Sequence, residues 1–283
     1  MPIVLSLATP ARPIDLVASL PTALLRRQRG LALAGFAILA LMGPTWAALL
    51  IDGRTLNGIS VWVKPLKFQA SVGLYLLTLA WFFGDLPARV RAGRAVRALT
   101  AVAIGASAFE IGYITLQAGQ GLASHFNVGD PFHALMYGLM GLGAVALTAV
   151  SPALAVLLVR HRPGHLTTAF RLSIVVGLAL TFVLGASVGV MLSSLDGHWI
   201  GGVRSDAGGV PVFGWSRTGG DLRIAHFLGI HAMHVLPVVG FAAGRFLPGA
   251  RAVSAVVIAS VVYTALAGTT LVMALEGMPL FPL

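Results

Sequence analysis

Seven runs of predominantly apolar residues, at about 31–51, 66–84, 98–118, 132–159, 169–193, 223–245 and 252–275, alternate with short polar connections. At 1.5 Å per residue, a helix of about 20 residues crosses a hydrocarbon core of about 30 Å. The runs lack the period of two that a lipid-facing β-strand requires. The pattern therefore predicts an all-α integral membrane protein with about seven transmembrane helices, and a single polytopic bundle over 31–275. The fourth run is the longest, and is expected to tilt or to begin outside the hydrocarbon.

The flanking segments read differently. Residues 1–30 contain Pro2, Pro10, Pro13 and Pro21 and close on Arg26, Arg27 and Arg29. A signal peptide would start basic and carry a longer apolar core, so 13–25 is read as a short interfacial helix. Between the fifth and sixth runs lies the longest connection, 194–222, with the glycine-rich stretch GGVRSDAGGVPVFGWSRTGGD. Its glycines predict turns in a cap, with a short hairpin at Val210 to Trp215. Residues 276–283 form a short tail.

Charge orients the bundle. Thirteen arginines (12, 26, 27, 29, 89, 91, 94, 97, 160, 162, 171, 245 and 251) fall on one side. The other side holds six basic residues: Arg54, Lys64, Lys67, Arg204, Arg217 and Arg223. The excess of basic residues marks the cytoplasmic side. The expectation is a cytoplasmic (inner) membrane protein with its N-terminus inside, and its C-terminus and the 194–222 cap outside. Most acids, together with His125 and His198, then fall in the outer connections.

Composition narrows the chemistry. The chain is 57% hydrophobic and 10% charged, with a net charge of +10. No nucleic-acid motif accompanies that charge, which topology accounts for. The absence of cysteine excludes disulfides, thiolate metal sites, iron–sulfur clusters and covalently attached c-type haem. It leaves b-type haem, or a non-haem iron, copper or zinc ion held by His and carboxylate.

Ionisable residues within apolar spans are costly and usually face a protein interior. His226, His231 and His234 lie on the sixth span at helical angles of about 0°, 140° and 80°, with Arg223 near 60°. That spread is too wide for one ion bound by all three. His231 with His234, or His226 with His234, are the expected pairs. The third span carries Glu110, Tyr113 and Gln117 within a stripe roughly 60° wide, with Glu110 about 10 Å below Gln117. Asp130 and Pro131 predict the start of the fourth helix, which places His133 one turn in. Beyond it, Gly138, Gly141 and Gly143 make a thin strip. Lys64 and Lys67 open the second span on one face, either snorkelling or holding an anion. The pairs Gly185/Gly189 and Gly240/Gly244 read as helix packing.

Two family resemblances fail. The HxxxxHxxH spacing differs from the HxxxH and HxxHH boxes of membrane desaturases, which lie on the cytoplasmic side. The last span lacks the lysine to which microbial rhodopsins attach retinal.

Together these residues predict a pocket in the outer half of the bilayer, and its contents remain open between readings. In a redox protein, His133 with His226 or His231 would ligate b-type haem, while Lys64, Lys67 and Arg223 neutralise its propionates. In a non-haem metal enzyme, the ligands would come from Glu110, His133, His226, His231 and His234, with Glu110 and Tyr113 as catalytic groups. In a proton-coupled transporter or receptor, Glu110 and the histidines carry protons and the cations hold a small anionic or lipophilic ligand. An accessory subunit would dock a membrane partner or electron donor through this face. The lipid bilayer is the partner common to all four, and nucleic acid to none.

Overall fold

The computed structural model describes residues 13–282. Residues 1–12, with Arg12 of the basic count, and residue 283 lie outside the described residues. The chain is an all-α membrane protein in which seven helices are long and apolar enough to span a bilayer. A short helix, α1 (Pro13–Arg27), comes first. The first span is broken into α2 (Arg29–Ala40) and α3 (Met42–Ile51). The break follows from Pro44, which has no N–H to offer the carbonyl of Ala40 and whose ring crowds it.

The remaining spans are α4 (Val63–Phe83), α6 (Arg94–Gln120), α7 (Pro131–His161), α8 (Thr168–Ser193), α9 (Leu222–Phe246) and α10 (Gly249–Leu275). A single turn, α5 (Ala88–Arg91), sits between α4 and α6. Helix ends follow local chemistry. Asp130 caps α7 by accepting from the N–H groups of Phe132 and His133, with Pro131 at the first helical position. Thr167 caps α8 and Asp221 caps α9 in the same way. Gly121, at φ +74°, closes α6 in the left-handed conformation that glycine adopts without strain.

Two small antiparallel pairs lie in the loops. β1 (Thr55–Leu56) and β2 (Ile59–Ser60) pair around Asn57 and Gly58, both at positive φ, which is an Asn-Gly hairpin turn. β3 (Trp199–Ile200) pairs with β4 (Gly220–Asp221) and closes the base of the long loop. The hairpin expected at Val210 to Trp215 is a tight turn instead, closed by Val210 N–H donating to the Trp215 carbonyl at 2.8 Å. Pro211 and the positive φ of Val212 and Gly214 leave no extended strand there.

Consecutive helices pack on one another, and α8 and α9 make the closest pair. Small residues permit it. A side chain at Gly229 would meet the backbone of Gly185 at 2.7 Å, one at Gly177 would meet the Ala232 carbonyl at 2.9 Å, and Gly240 lies directly against Ser173. Gly189 faces His226 and Gly244 faces Thr167. Both glycine pairs of the sequence therefore serve the α8–α9 contact. Thr181 adds a hydroxyl that accepts from the Met233 N–H at 2.9 Å. Gly35 and Gly73 do the same for α2 on α4.

The loops sort to two ends. At the cap end, the Asp206 N–H donates to the Asn57 carbonyl and Arg54 donates to the Gly119 carbonyl. Arg217 there reaches the Pro282 carbonyl. At the arginine-rich end, Asp85 accepts from both Arg27 and His165, which ties α1 and the α7–α8 loop to the foot of α4. The Arg27 guanidinium also lies 4.4 Å over the Trp81 ring. The fold carries a direct test of the small-residue contact. Gly229→Ala is expected to destabilise by about 1–3 kcal/mol, because backbone rather than a flexible side chain must yield. Gly141→Ala, which meets nothing within 4 Å, should be neutral or slightly stabilising; thermal unfolding midpoints in detergent separate the two.

Candidate functional site

The site is built around the first turn of α9. Asp221 accepts from the backbone N–H of Arg223 at 3.0 Å and takes its guanidinium in a two-pronged pair, Nε at 2.9 Å and Nη2 at 2.6 Å. It also accepts from the Ser216 N–H at 2.9 Å. Arg223 Nη2 reaches on to the Gly214 carbonyl at 2.7 Å and to Asp206 at 2.8 Å. Asp206 is buried and accepts from His198 Nε2 at 3.4 Å. Burial pushes the Asp206 carboxyl up, but the His198 hydrogen bond and the Arg223 charge more than offset it and hold it below the ordinary carboxylate value. His198 sits below its ordinary value because burial outweighs its hydrogen bond to Asp206. The neutral imidazole therefore donates to an ionised acid.

Facing α9 is the start of α4. Asp52 receives Arg54 and the indole N–H of Trp62, at 2.6 and 2.8 Å, which anchors the turn before the helix. The Arg54 hydrogen bonds hold the Asp52 carboxyl well below the ordinary range. Lys67 Nζ donates to the Phe213 carbonyl at 2.6 Å. Lys64 differs. Its ammonium lies 5.9 Å from the Phe68 ring centre, and among the described residues no carboxylate comes within 4.0 Å of it. It is half-buried, within electrostatic reach of Arg223, Asp206 and Glu110.

The α6 stripe forms the floor. Glu110, Tyr113 and Gln117 are all buried, and Glu110 Oε1, Tyr113 Oη and Gln117 Oε1 have no hydrogen-bond partner among the described residues. The Glu110 carboxyl lies against Gly143 of α7, where a methyl group would come within 2.8 Å of Oε1. Of the thin glycine strip, only Gly143 meets this carboxyl; Gly138 and Gly141 face open space.

The wall between α6 and α9 comes from the loop after α6. The His125 ring lies 5.7 Å from Phe68 and 5.9 Å from Tyr137, and Phe126 lies 5.6 Å from Tyr137 and 6.5 Å from His198. Burial, then the charges of Lys64 and His226, drive His125 well below its ordinary value. These residues escape a reading based on spans because they sit in connections. His125, Phe126, His198 and Asp206 reach the site only when the loops fold back over it.

The histidines of α9 divide. His226 Nδ1 donates to the Gly185 carbonyl at 3.1 Å. His231 and His234 contact each other through Nδ1 atoms 3.1 Å apart, the first of the two expected pairs, with the Phe227 ring 4.2 Å from His231. His133 is held at the mouth of α7 by its own helix cap, Nδ1 to Asp130 at 2.5 Å. Among the described residues no three His, Asp or Glu side chains converge as a group that could hold a metal ion. The structure thus brings together Lys64, Lys67, Arg223 and the Glu110 stripe. It does not gather Glu110, His133, His226, His231 and His234 into one ligand set. No family model, curated protein or solved structure matches the chain.

The loop wall makes stability depend on acid. His125 is neutral in the folded protein and takes up a proton near its ordinary value of 6.5 when unfolded. Unfolding therefore binds a proton below that pH, and stability falls as pH drops from about 6.5 toward 4. His125→Phe is expected to flatten this slope in thermal midpoints measured across that range. An unchanged slope would remove His125 from the account.

Proposed function

We propose that this chain binds a small anion, of carboxylate or phosphate type, between Lys64, Lys67 and Arg223 beneath the 194–221 loop, as part of a transporter or receptor. The observation that carries the reading is Lys64. A half-buried ammonium at the head of a membrane helix is costly without a counter-charge. Arg223 is committed to Asp221 and Asp206, and Lys67 to a carbonyl, whereas Lys64 has no carboxylate within 4.0 Å among the described residues, and Asp206 and Glu110 act on it only from farther off. An anionic group from outside the chain supplies what this cluster lacks. Phe68, Phe126 and Tyr137 beside it suit a ligand with an apolar or flat body. With the orientation expected from the arginines, the ligand enters from outside the cell.

A second reading rests on His226. An imidazole whose Nδ1–H is fixed by a backbone carbonyl presents its Nε2 lone pair in the manner of a metal- or haem-ligating histidine. A b-type haem or non-haem metal on His226 would show as a Soret band, or as stoichiometric metal, in purified protein, and would be lost in His226→Ala.

The anion reading is tested by calorimetric titration of the purified protein with acetate, succinate, benzoate and phosphate. At least one should bind, and Lys64→Gln should weaken it by about tenfold or more, the worth of a charge-assisted hydrogen bond. Binding by none of them, or full affinity in Lys64→Gln, sinks the proposal.

A further inference from the structure

Nine buried side-chain polar atoms lack a hydrogen-bond partner among the described residues, and five of them belong to α6. Four of those five, Ser107 Oγ, Glu110 Oε1, Tyr113 Oη and Gln117 Oε1, recur at spacings of three, three and four residues. That spacing keeps them on one side of the helix over about 15 Å of its length. Their residues are exposed by 0%, 4%, 6% and 2%. Buried polar groups are almost always paired, with protein or with internal water. Each of the four atoms is packed too closely for a water molecule to touch it as the helices stand, so water completes their hydrogen bonds only as α4 and α7 part from α6.

The two ends of the run differ. Gln117 ends it near the cap, where Lys64 acts on His125 and Asp130 acts on Tyr113. Below Ser107 the core turns apolar, with Ala103, Leu76, Leu79 and Leu154 fully buried. The first polar groups beyond satisfy each other: the Tyr75 hydroxyl donates to the Leu147 carbonyl at 2.8 Å and lies 2.7 Å from Ser151 Oγ. Glu110, the single carboxyl in the run, has few titratable neighbours. Among the spans packed on α6, α4 offers Lys64, Lys67 and Tyr75. In α7, His133 and Tyr137 precede a stretch without a titratable group until Arg160, and α2 and α3 have none between Arg29 and Asp52.

We infer that α6 carries a half-channel from the cap end to Ser107, hydrated as α4 and α7 part from it, along which Glu110 exchanges its proton with water. The carboxyl gives a proton to a neighbouring water and takes one back, so no bond other than O–H is made or broken. The column closes below Ser107, and protons reach Glu110 from the cap end alone. This goes beyond anion binding and needs no ligand, so the two readings fail separately.

The chain has no cysteine, so single-cysteine variants carry one reactive thiol each. In vesicles, Gln117→Cys and Ser107→Cys are expected to react with a charged, membrane-impermeant thiosulfonate presented to the cap end. Ala103→Cys should react at least about tenfold more slowly than either, since reaction needs both water access and thiolate. The wild-type protein gives an independent readout. Its infrared spectrum should show a protonated carboxyl band, lost in Glu110→Gln and displaced in Glu110→Asp, that shifts within minutes in D2O. Equal reactivity of Ser107→Cys and Ala103→Cys overturns the inference. So does a Glu110 band that does not exchange, or one absent at every pH between about 5 and 9.

Discussion

The cap end depends on one constraint: the charge of a guanidinium at the membrane boundary must be answered by partners from the chain. Arg223 does this by binding two acids and a carbonyl, and each of those partners belongs to a different piece of chain. Asp221 is the cap of α9 itself. Gly214 lies in the turn of the long loop, and Asp206 lies on its opposite arm. Asp206 then reaches the first loop through its own N–H to Asn57 and holds His198 through its carboxylate. Satisfying one cation thus fixes the start of a helix, the fold of a 28-residue connection and its seat on the β1–β2 hairpin. That seat places Lys64, Lys67 and His125 against the same interior.

The interior is assembled on a different principle. In hydrocarbon there is no hydrophobic drive between helices, so closeness of contact and the occasional hydrogen bond hold them together. The α8–α9 pair does this with Gly177, Gly185, Gly229 and Gly240, and with Thr181 bonded to the Met233 backbone. α6 contrasts with both. Its face toward α4 and α7 carries polar atoms that neither helix answers. A chain that satisfies an arginine three times over, yet leaves four buried groups of one helix open, has allotted the two places different work.

Most of the fold is legible in the sequence because span length and apolarity are local properties. All seven runs correspond to helices whose ends fall within a few residues of the expected ones, and Asp130–Pro131 marks the start of α7 as its chemistry suggests. The polar stripe of α6 is legible for the same reason, since helical periodicity alone puts Glu110, Tyr113 and Gln117 on one face. What periodicity cannot give is which neighbour a face meets. It groups His226, His231 and His234 on one broad side of α9, whereas His226 turns to Gly185 and the other two turn to each other. Nor does it bring His125, Phe126, His198 and Asp206 to the site, because they arrive through loops whose course is set by Arg223 and by Asn57. The break at Leu41 and the Asn57–Gly58 turn have plain local causes, Pro44 and an Asn-Gly pair, and are overlooked only when apolar length is the sole guide.

The Phe213–Gly214 dipeptide holds two cations of the site, its Phe213 carbonyl accepting from Lys67 and its Gly214 carbonyl from Arg223. Any negatively charged group that takes over those cations does so in competition with these carbonyls. Occupancy and the looseness of the loop are then thermodynamically linked: whatever frees the loop raises the affinity for the incoming group, and the group in turn frees the loop by the same factor. A dipeptide on the surface thereby becomes a dial on the site beneath it.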